Sequence, residues 1–370
     1  MLRARRRQIT IHTYELQRRA RANYPKKRAE YPRSVIALWK QVMRDRVAAT
    51  KALVDFRGAR GEFHAHSNHS DGAGTVADLA YYKEASGLDF MFVTDHWGVT
   101  QKRECVRHQN VWWGQEPGTQ HHHIGILGIN RKFSPSGRLA EDYERAAAAG
   151  GVPFIAHPAG WFPRTRYSDE QKASLDLLGP RFAMEIINGA NQIFDCWDVT
   201  DEQSVVLWDQ HLLRGKEVTV LGNTDAHLAE AIGDVWTAVL PDEFSVEGVL
   251  DALRRGRAFV SDGPIVDLTL QADGGPIAGM GQTLQSVSPA VTVRALAADS
   301  AGLSEVRLIR DGQVVTSWPV RDEQVLSRSF ADTHAAGARY YRLECFARDG
   351  RRAYTNPVYV RPNGHEPGLV

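Results

Sequence analysis

The chain has 370 residues, 43% of them hydrophobic and 24% charged, with a formal net charge of +1 at pH 7. Such a composition excludes a collagen-like repeat and a fully disordered chain, and no run approaches the roughly 20 apolar residues that cross a bilayer. The near-neutral total hides an asymmetry: residues 1–60 hold 17 Lys/Arg against 4 Asp/Glu, and the remainder holds 28 against 40.

The first 60 residues read as a basic helical extension. MLRARRRQITIHTYELQRRA lacks the apolar core and small-residue cleavage site of a secretory signal. Between Pro32 and Gly58, Leu38, Val42, Val47 and Leu53 fall roughly on one face of a helix. A basic arm can meet nucleic acid or an anionic surface, or pack on an acidic body or a second subunit. Three widely spaced cysteines, Cys105, Cys196 and Cys345, form no disulfide framework, so a reducing, cytoplasmic setting with no membrane partner is expected.

From residue 61 to 263 short apolar runs alternate with helical stretches. Strands are predicted at Glu62–His64, Phe90–Val93, Ile124–Gly128, Pro153–Ala156, Phe182–Ile187, Val218–Leu221 and Val235–Leu240. Helices are predicted at Val76–Ser86, Leu139–Ala149, Ser204–Leu213 and Val246–Arg255, several ending at a glycine suited to a C-cap. This alternation implies an α/β barrel or a doubly wound sheet. From 264 to 362 the runs shorten, become β-branched or aromatic, and are punctuated by Asp273-Gly274-Gly275, Asp311-Gly312 and Asp349-Gly350. Asp-Gly between alternating runs is a strong hairpin signal, so a small antiparallel β-sandwich of about 100 residues follows. Residues 363–370 read as a loose tail.

Eleven of the 14 histidines lie between positions 64 and 227. Metal-ligand types recur just after predicted strands: His64, His66 and Asp71; Asp95-His96; His157; Asp225 and His227. In a barrel of parallel strands such positions converge on one face, and residues two apart on a strand share a side, so His64 with His66, and Asp225 with His227, can grip one ion. Crowded imidazoles and carboxylates would repel and desolvate one another without a cation. The donor mixture suits Zn, Mn or Fe.

These residues also carry a resemblance. His64-Ala65-His66-Ser67-Asn68-His69-Ser70-Asp71-Gly72 resembles the first motif of the polymerase and histidinol phosphatase (PHP) superfamily, and Val93-Thr94-Asp95-His96 its second. Gly114-Gln115-Glu116 resembles the Gly-x-Glu that supplies a bridging carboxylate, and Ala156-His157-Pro158 and Gly222-Asn223-Thr224-Asp225-Ala226-His227 resemble later motifs. The resemblance spans about residues 61–260 in order. It implies a distorted (β/α)7 TIM-like barrel with two or three divalent ions. It implies His64, His66, Glu116 and Asp225 around one ion, Glu116, His157 and a further His around a second, and Asp71, His96 and His227 around a third. That further His lies in the run His121-His122-His123, where His123 best fits the spacing to Leu127-Gly128 and His122 comes second. Asn223-Thr224 stands where the family usually has a Ser, and His69 where an aromatic is frequent. Met184–Gly189 and Gly256–Pro264, followed by a β-sandwich, are similar to the carbaryl-hydrolase-type branch.

The implied activity is a metallohydrolase in which two cations share a water and lower its pKa from 15.7 toward about 7, with Asp225, Glu116 and His227 catalytic through that water. No Gly-x-Ser-x-Gly elbow offers a serine nucleophile. Arg164 and Arg166 are candidates to clamp an anion, with Lys102 and Arg103 nearby. Trp97, Trp112, Trp113, Trp161 and Phe162 can instead form an aromatic pocket, and Glu185 and Asn188 can orient ligands or line the pocket. A small phosphate ester ranks ahead of an aryl carbamate, carboxylic ester or amide. A nucleic-acid-associated protein is the reading of another class. The acidic balance of residues 61–370, and the lack of a helix-turn-helix, zinc-finger or aromatic RNA-binding pattern, argue against it. A homo-oligomer is left open by the sequence.

Overall fold

The computed structural model describes residues 32–96, 98–117, 122–160, 166–189, 197–272, 274–286, 288–321 and 323–362. No helix among them is long and apolar enough to cross a membrane. The fold is mixed α/β, with one large sheet and a second sheet of four antiparallel strands. Residues 1–31 of the basic extension and the tail 363–370 lie outside the described residues.

Helix α1 (Arg33–Val54) opens the described chain. Its buried residues are Ile36, Lys40, Val47 and Thr50, whereas Leu38, Val42 and Leu53 are exposed. The buried face is therefore not the one the apolar residues suggested. The cause is ionic: the Lys40 ammonium donates to Asp234 Oδ1 and to the Ile232 carbonyl, both at 2.7 Å, and this turns the helix. Arg46, on the same helix, reaches both carboxylate oxygens of Asp299 at 2.9 and 2.7 Å.

The large sheet begins with β1 (Ala59–Glu62), β2 (Phe90–Val93) and β3 (Val111–Gln115), paired in parallel. Next comes β4 (Ile124–Leu127), antiparallel to both β3 and β5 (Val152–Ile155). Strands β6 (Arg181–Asn188) and β7 (Glu217–Asn223) then continue in parallel. A simple repeat of seven parallel strands is thus broken at β4, and β3 is an element the sequence reading did not foresee. On the other edge of β1 lie β8 (Trp236–Val239) and β9 (Ala258–Ser261), both antiparallel. The helices α2 (Val76–Ala85), α3 (Lys102–Cys105), α4 (Leu139–Ala148), α5 (Asp169–Ser174), α6 (Val199–Leu213) and α7 (Val246–Arg254) connect them. Three of these helices begin with reciprocal capping boxes, at Thr75/Asp78, Ser168/Gln171 and Asp198/Asp201.

The sheet curls until β7 approaches β8 and β9, and side chains bridge the gap in place of a ladder. Thr237 Oγ1 accepts from Gly222 N and donates to the Gly222 carbonyl, both at 2.9 Å. Asn356, from far along the chain, accepts from Val220 N at 2.7 Å and donates to the carbonyls of Val220 and Ala258 at 3.2 and 3.0 Å. At the C-terminal strand ends Ala65 bridges Ala226, with His66 N donating to Ala226 O at 2.9 Å.

Strands β10 (Ile265–Gln271), β11 (Ala278–Gly279), β13 (Val291–Ala298) and β16 (Val325–Asp332) form the second sheet. Facing it are β14 (Leu303–Arg310), β15 (Gln313–Pro319), β17 (Tyr340–Ala347), β18 (Arg352–Thr355) and β19 (Val358–Arg361), with β12 (Thr283–Gln285) parallel to β19. Leu268, Val293, Ala297, Val306, Leu308 and Leu343 fill the space between them. Asp311 and Gly312 both have positive φ (48° and 74°), the conformation of the tight hairpin predicted there. Through β18, antiparallel to β9, this layer is continuous with the large sheet.

Candidate metal centre

Ligand-type side chains follow the C-terminal ends of β1, β2, β3, β5 and β7, and His123 precedes the reversed strand β4. His64 and His66 follow β1 and are fully buried, and their Nε2 atoms lie 3.2 Å apart. The loop after them folds tightly: a Cβ on Gly72 would stand 2.2 Å from the His66 carbonyl oxygen. Glu116, one residue past β3, places Oε2 3.3 Å from both His64 Nε2 and His66 Nε2. Its Oε1 lies 2.8 Å from His123 Nδ1 and 3.1 Å from His157 Nε2. One carboxylate thus faces two imidazole pairs. Asp225, after β7, brings Oδ1 within 3.3 Å of His64 Nε2 and 3.1 Å of His66 Nε2. His157 and Asp225 both adopt left-handed backbone (φ 32° and 48°), a costly conformation held where the chain turns inward.

A third group lies nearer the surface. Asp71 Oδ2 stands 3.5 Å from His96 Nε2 and 3.3 Å from His227 Nε2, and Asp71 Oδ1 stands 3.8 Å from His66 Nδ1. Three sets therefore converge, each with its ligand atoms within 4.8 Å of one another: His64, His66, Glu116 and Asp225; Glu116, His123 and His157; His66, Asp71, His96 and His227. His66 joins the third set as well as the first, which the sequence reading did not foresee.

The donors fit divalent cations on two observations. Asp225 Oδ1 and His66 Nδ1 are buried and make no hydrogen bond. Among the described residues no Lys or Arg pairs with Glu116, Asp225 or Glu185; only imidazoles do. Burial opposes ionisation of Glu116, yet the histidines His123, His64 and His96 hold its carboxyl well below the usual range. Burial likewise opposes protonation of His64, yet Asp225, Glu185 and Glu116 push it well above the ordinary imidazole value. Protons stand in for cationic charge here, and a metal binding to this set would displace them.

A second layer fixes the rings. His64 Nδ1 meets Glu185 Oε1 at 2.8 Å, His96 Nδ1 the Glu116 carbonyl at 2.8 Å, and His227 Nδ1 the Asp225 carbonyl at 2.9 Å. Each partner is an acceptor, so each Nδ1 carries a proton and Nε2 faces the cluster, where its lone pair is available once a metal displaces the second proton. Glu185 also accepts from Asn223 Nδ2 at 2.8 Å, from His157 N at 2.8 Å and from Asn188 Nδ2 at 3.2 Å. Glu62 accepts from His64 N at 3.0 Å and Thr224 Oγ1 at 2.6 Å, tying the loops after β1 and β7 together. Asn223 and Thr224, which stand where the resembled motif has a Ser, are therefore both anchors. Glu62 escaped the sequence reading because its partner Thr224 stands 162 positions away.

The remaining candidates divide. Asn188 directs its amide to Glu185 and, at 3.3 Å, to Asp225 Oδ2. Arg166 is exposed, with no hydrogen bond or ion pair among the described residues. Trp97, Trp161, Phe162, Arg164, His121 and Cys196 lie outside the described residues. Trp112 does not line the mouth: it packs between Phe90, Phe92 and Phe244. Trp113 lies beneath the Lys102 ammonium, 4.6 Å away. Side chains alternate along β3, and both tryptophans are spent on packing. His122 turns to Asp142, 3.1 Å away, and leaves His123 as the ring at Glu116. His69 bonds Thr100 and stands 3.1 Å from Glu104, spanning two mouth loops.

No curated protein matches this chain. Among solved structures it is similar to a two-domain protein from Bacteroides vulgatus containing a predicted PHP-like metal-dependent phosphoesterase. The identity is 16%, covering 82% of this chain and 96% of that one, with a TM-score of 0.42. It is also similar to a lesion-specific endonuclease from Pyrococcus furiosus (14% identity, 54% and 56% covered, TM-score 0.41). A third is an amidohydrolase from Chromobacterium violaceum (16% identity, 47% and 89% covered, TM-score 0.32). The family model described as PHP-associated matches residues 212–258, the stretch that carries Asp225 and His227 into the cluster.

Proposed function

We propose that this chain is a metal-dependent hydrolase. Its mouth holds two or three divalent transition-metal ions (Zn, Mn or Fe) through His64, His66, Asp71, His96, Glu116, His123, His157, Asp225 and His227. One observation carries the reading: Glu116 turns one oxygen to each of two imidazole pairs, in a cluster where no lysine or arginine among the described residues balances its acids. When bound, such ions polarise an ester oxygen and lower the pKa of water toward neutrality. The chain's own residues supply the frame. Glu185 holds the proton on His64 Nδ1, and Glu62 holds the loop that presents Asp225. The substrate meets the side of Asp71 and His227, 45% and 26% exposed, whereas His64 and His66 are sealed.

A small phosphate ester is the substrate class we favour, in a cytoplasmic setting. The aromatic wall an aryl carbamate needs loses Trp112 to packing, and Arg164 and Arg166, which follow His157 in the sequence, are the cationic groups we assign to a phosphate. Protein purified without chelator should contain at least two equivalents of transition metal by elemental analysis. Reconstituted protein should turn over p-nitrophenyl phosphate faster than 1-naphthyl N-methylcarbamate, and Asp225→Asn should lose metal and turnover together. Turnover of the carbamate alone would reassign the substrate class, and absence of stoichiometric metal would end the proposal.

A further inference from the structure

The opposite end of the same strands holds a second cleft. A cavity of about 430 Å³ lies where β5, β6 and β7 begin, against Val152, Phe182, Thr219, Leu253 and Tyr359. A neighbouring cavity of about 530 Å³ runs on beneath Pro276, Ile277 and Thr283. Both are lined by Arg181, Arg255 and Gly281, so they form one continuous groove. Along β6, Arg181 at the groove and Asn188 at the Asp225 carboxylate stand roughly 23 Å apart, at about 3.3 Å per residue.

The groove is cationic in its lining. Arg181, Arg254, Arg255 and Arg257 border it, and Glu217 is the carboxylate among the residues of both cavities. The ion pairs here leave donors over. Arg181 uses Nε on Glu217, at 2.5 Å, and Arg255 uses Nε on Asp251, at 3.0 Å. Their terminal Nη groups make no hydrogen bond among the described residues, and the two side chains are 53% and 59% exposed. A guanidinium with both Nη groups unspent is a fork that matches a planar or tetrahedral anion. The floor is backbone: Gly256 and Gly281 meet so closely that a Cβ on Gly281 would lie 1.9 Å from the Arg255 carbonyl oxygen. Ile277, 54% exposed, adds an apolar wall beside the charges. Clefts of this size, mostly apolar with a few convergent polar groups, are where small ligands bind.

We infer that the base of the curled sheet is a second ligand site, which takes a small organic anion: a phosphate, carboxylate or sulfonate group on the forks of Arg181 and Arg255, and an apolar body against Ile277. The inference is independent of the hydrolase reading. Isothermal titration of the full chain with naphthalene-1-sulfonate, which carries no ester bond, tests it. Arg255→Glu should weaken binding at least ten-fold, and Ile277→Glu, at an exposed position, should do the same without touching a guanidinium. Asp225→Asn, at the far end, should leave binding unchanged. No binding to the wild-type chain, binding to either groove variant as tight as to the wild type, or loss of binding in Asp225→Asn would overturn the site.

Discussion

Glu185→Gln offers the sharpest test of how the cluster is held. The carboxylate is 1% exposed and faces four donors: His64 Nδ1 and Asn223 Nδ2 on one oxygen, His157 N and Asn188 Nδ2 on the other. A glutamine preserves the shape but turns one oxygen into a donor, so two donors must face a third whichever way the amide sits. Asn223 cannot reorient, because its own Oδ1 accepts from Phe63 N. The amide nitrogen therefore goes to the side of His157 and the half-buried Asn188. The His157 N–H then loses its acceptor, a cost of about 1–3 kcal/mol to the metal-free fold. His64 keeps an acceptor but loses its charge, and loss of such a partner typically weakens metal affinity about 10–100-fold. Chelator competition with zinc reads the affinity, and urea unfolding of the metal-free protein reads the stability. Glu185→Asp, which keeps the charge but shortens the reach, should fall between wild type and Gln. Zinc affinity within two-fold of wild type in Glu185→Gln would refute the positioning role.

Metal removal should lower the melting temperature and make it depend on added metal, with about 4 kcal/mol restored at a thousand-fold excess over Kd; scanning fluorimetry across a zinc or manganese series checks this. Arg342 is 2% exposed, lies on Trp208 at 4.8 Å, and is held by Asp209 at 3.0 and 2.7 Å. Asp209→Asn leaves Glu344, at 2.7 Å, as the carboxylate on that buried guanidinium and should cost about 1.5–3 kcal/mol in urea unfolding. Glu305→Gln, which removes the more exposed partner of Arg307, should cost under about 1 kcal/mol. Burial pushes Asp262 up from 3.8 to about 6 against the pull of Arg351. The folded chain thus keeps a proton that the unfolded chain releases between those values, so this group's contribution declines as pH rises from about 4 to 6, by about 3 kcal/mol. Asp262→Asn should gain on wild type by that amount across the same window, and pH-dependent urea unfolding of both proteins tests the sign.

The cluster was far more legible than the contacts that hold it. His64, His66, His96, His157 and Asp225 announce themselves because each follows an apolar run within a few residues, a purely local pattern. His123 was separable from His122 by spacing alone, and the structure supplies the reason in the His122–Asp142 pair. What failed was non-local. The orientation of α1 depends on Asp234, 194 residues from Lys40. The packing of Trp112 depends on Phe244, and the anchoring of Thr224 on Glu62. No periodicity encodes such pairings. The second half of the chain was legible as strands, apart from β11, β12 and β16, because Asp311-Gly312 and the alternating runs act locally too. Between β18 and β19 the ladder is interrupted at Asn356 and Pro357, where the Asn356 side chain turns to the seam between β7 and β9.

That seam has a consequence for anyone dividing this molecule. Asn356 comes from beyond residue 264, yet it clamps β7 to β9, and β18 lies alongside β9 as its neighbour. A fragment ending at Gly263 would bare the backbone polar groups of Val220 and Ala258 and leave β9 as an open edge, inviting self-association. The C-terminal layer is best regarded as an extension of the curled sheet, and the two halves as one cooperative unit.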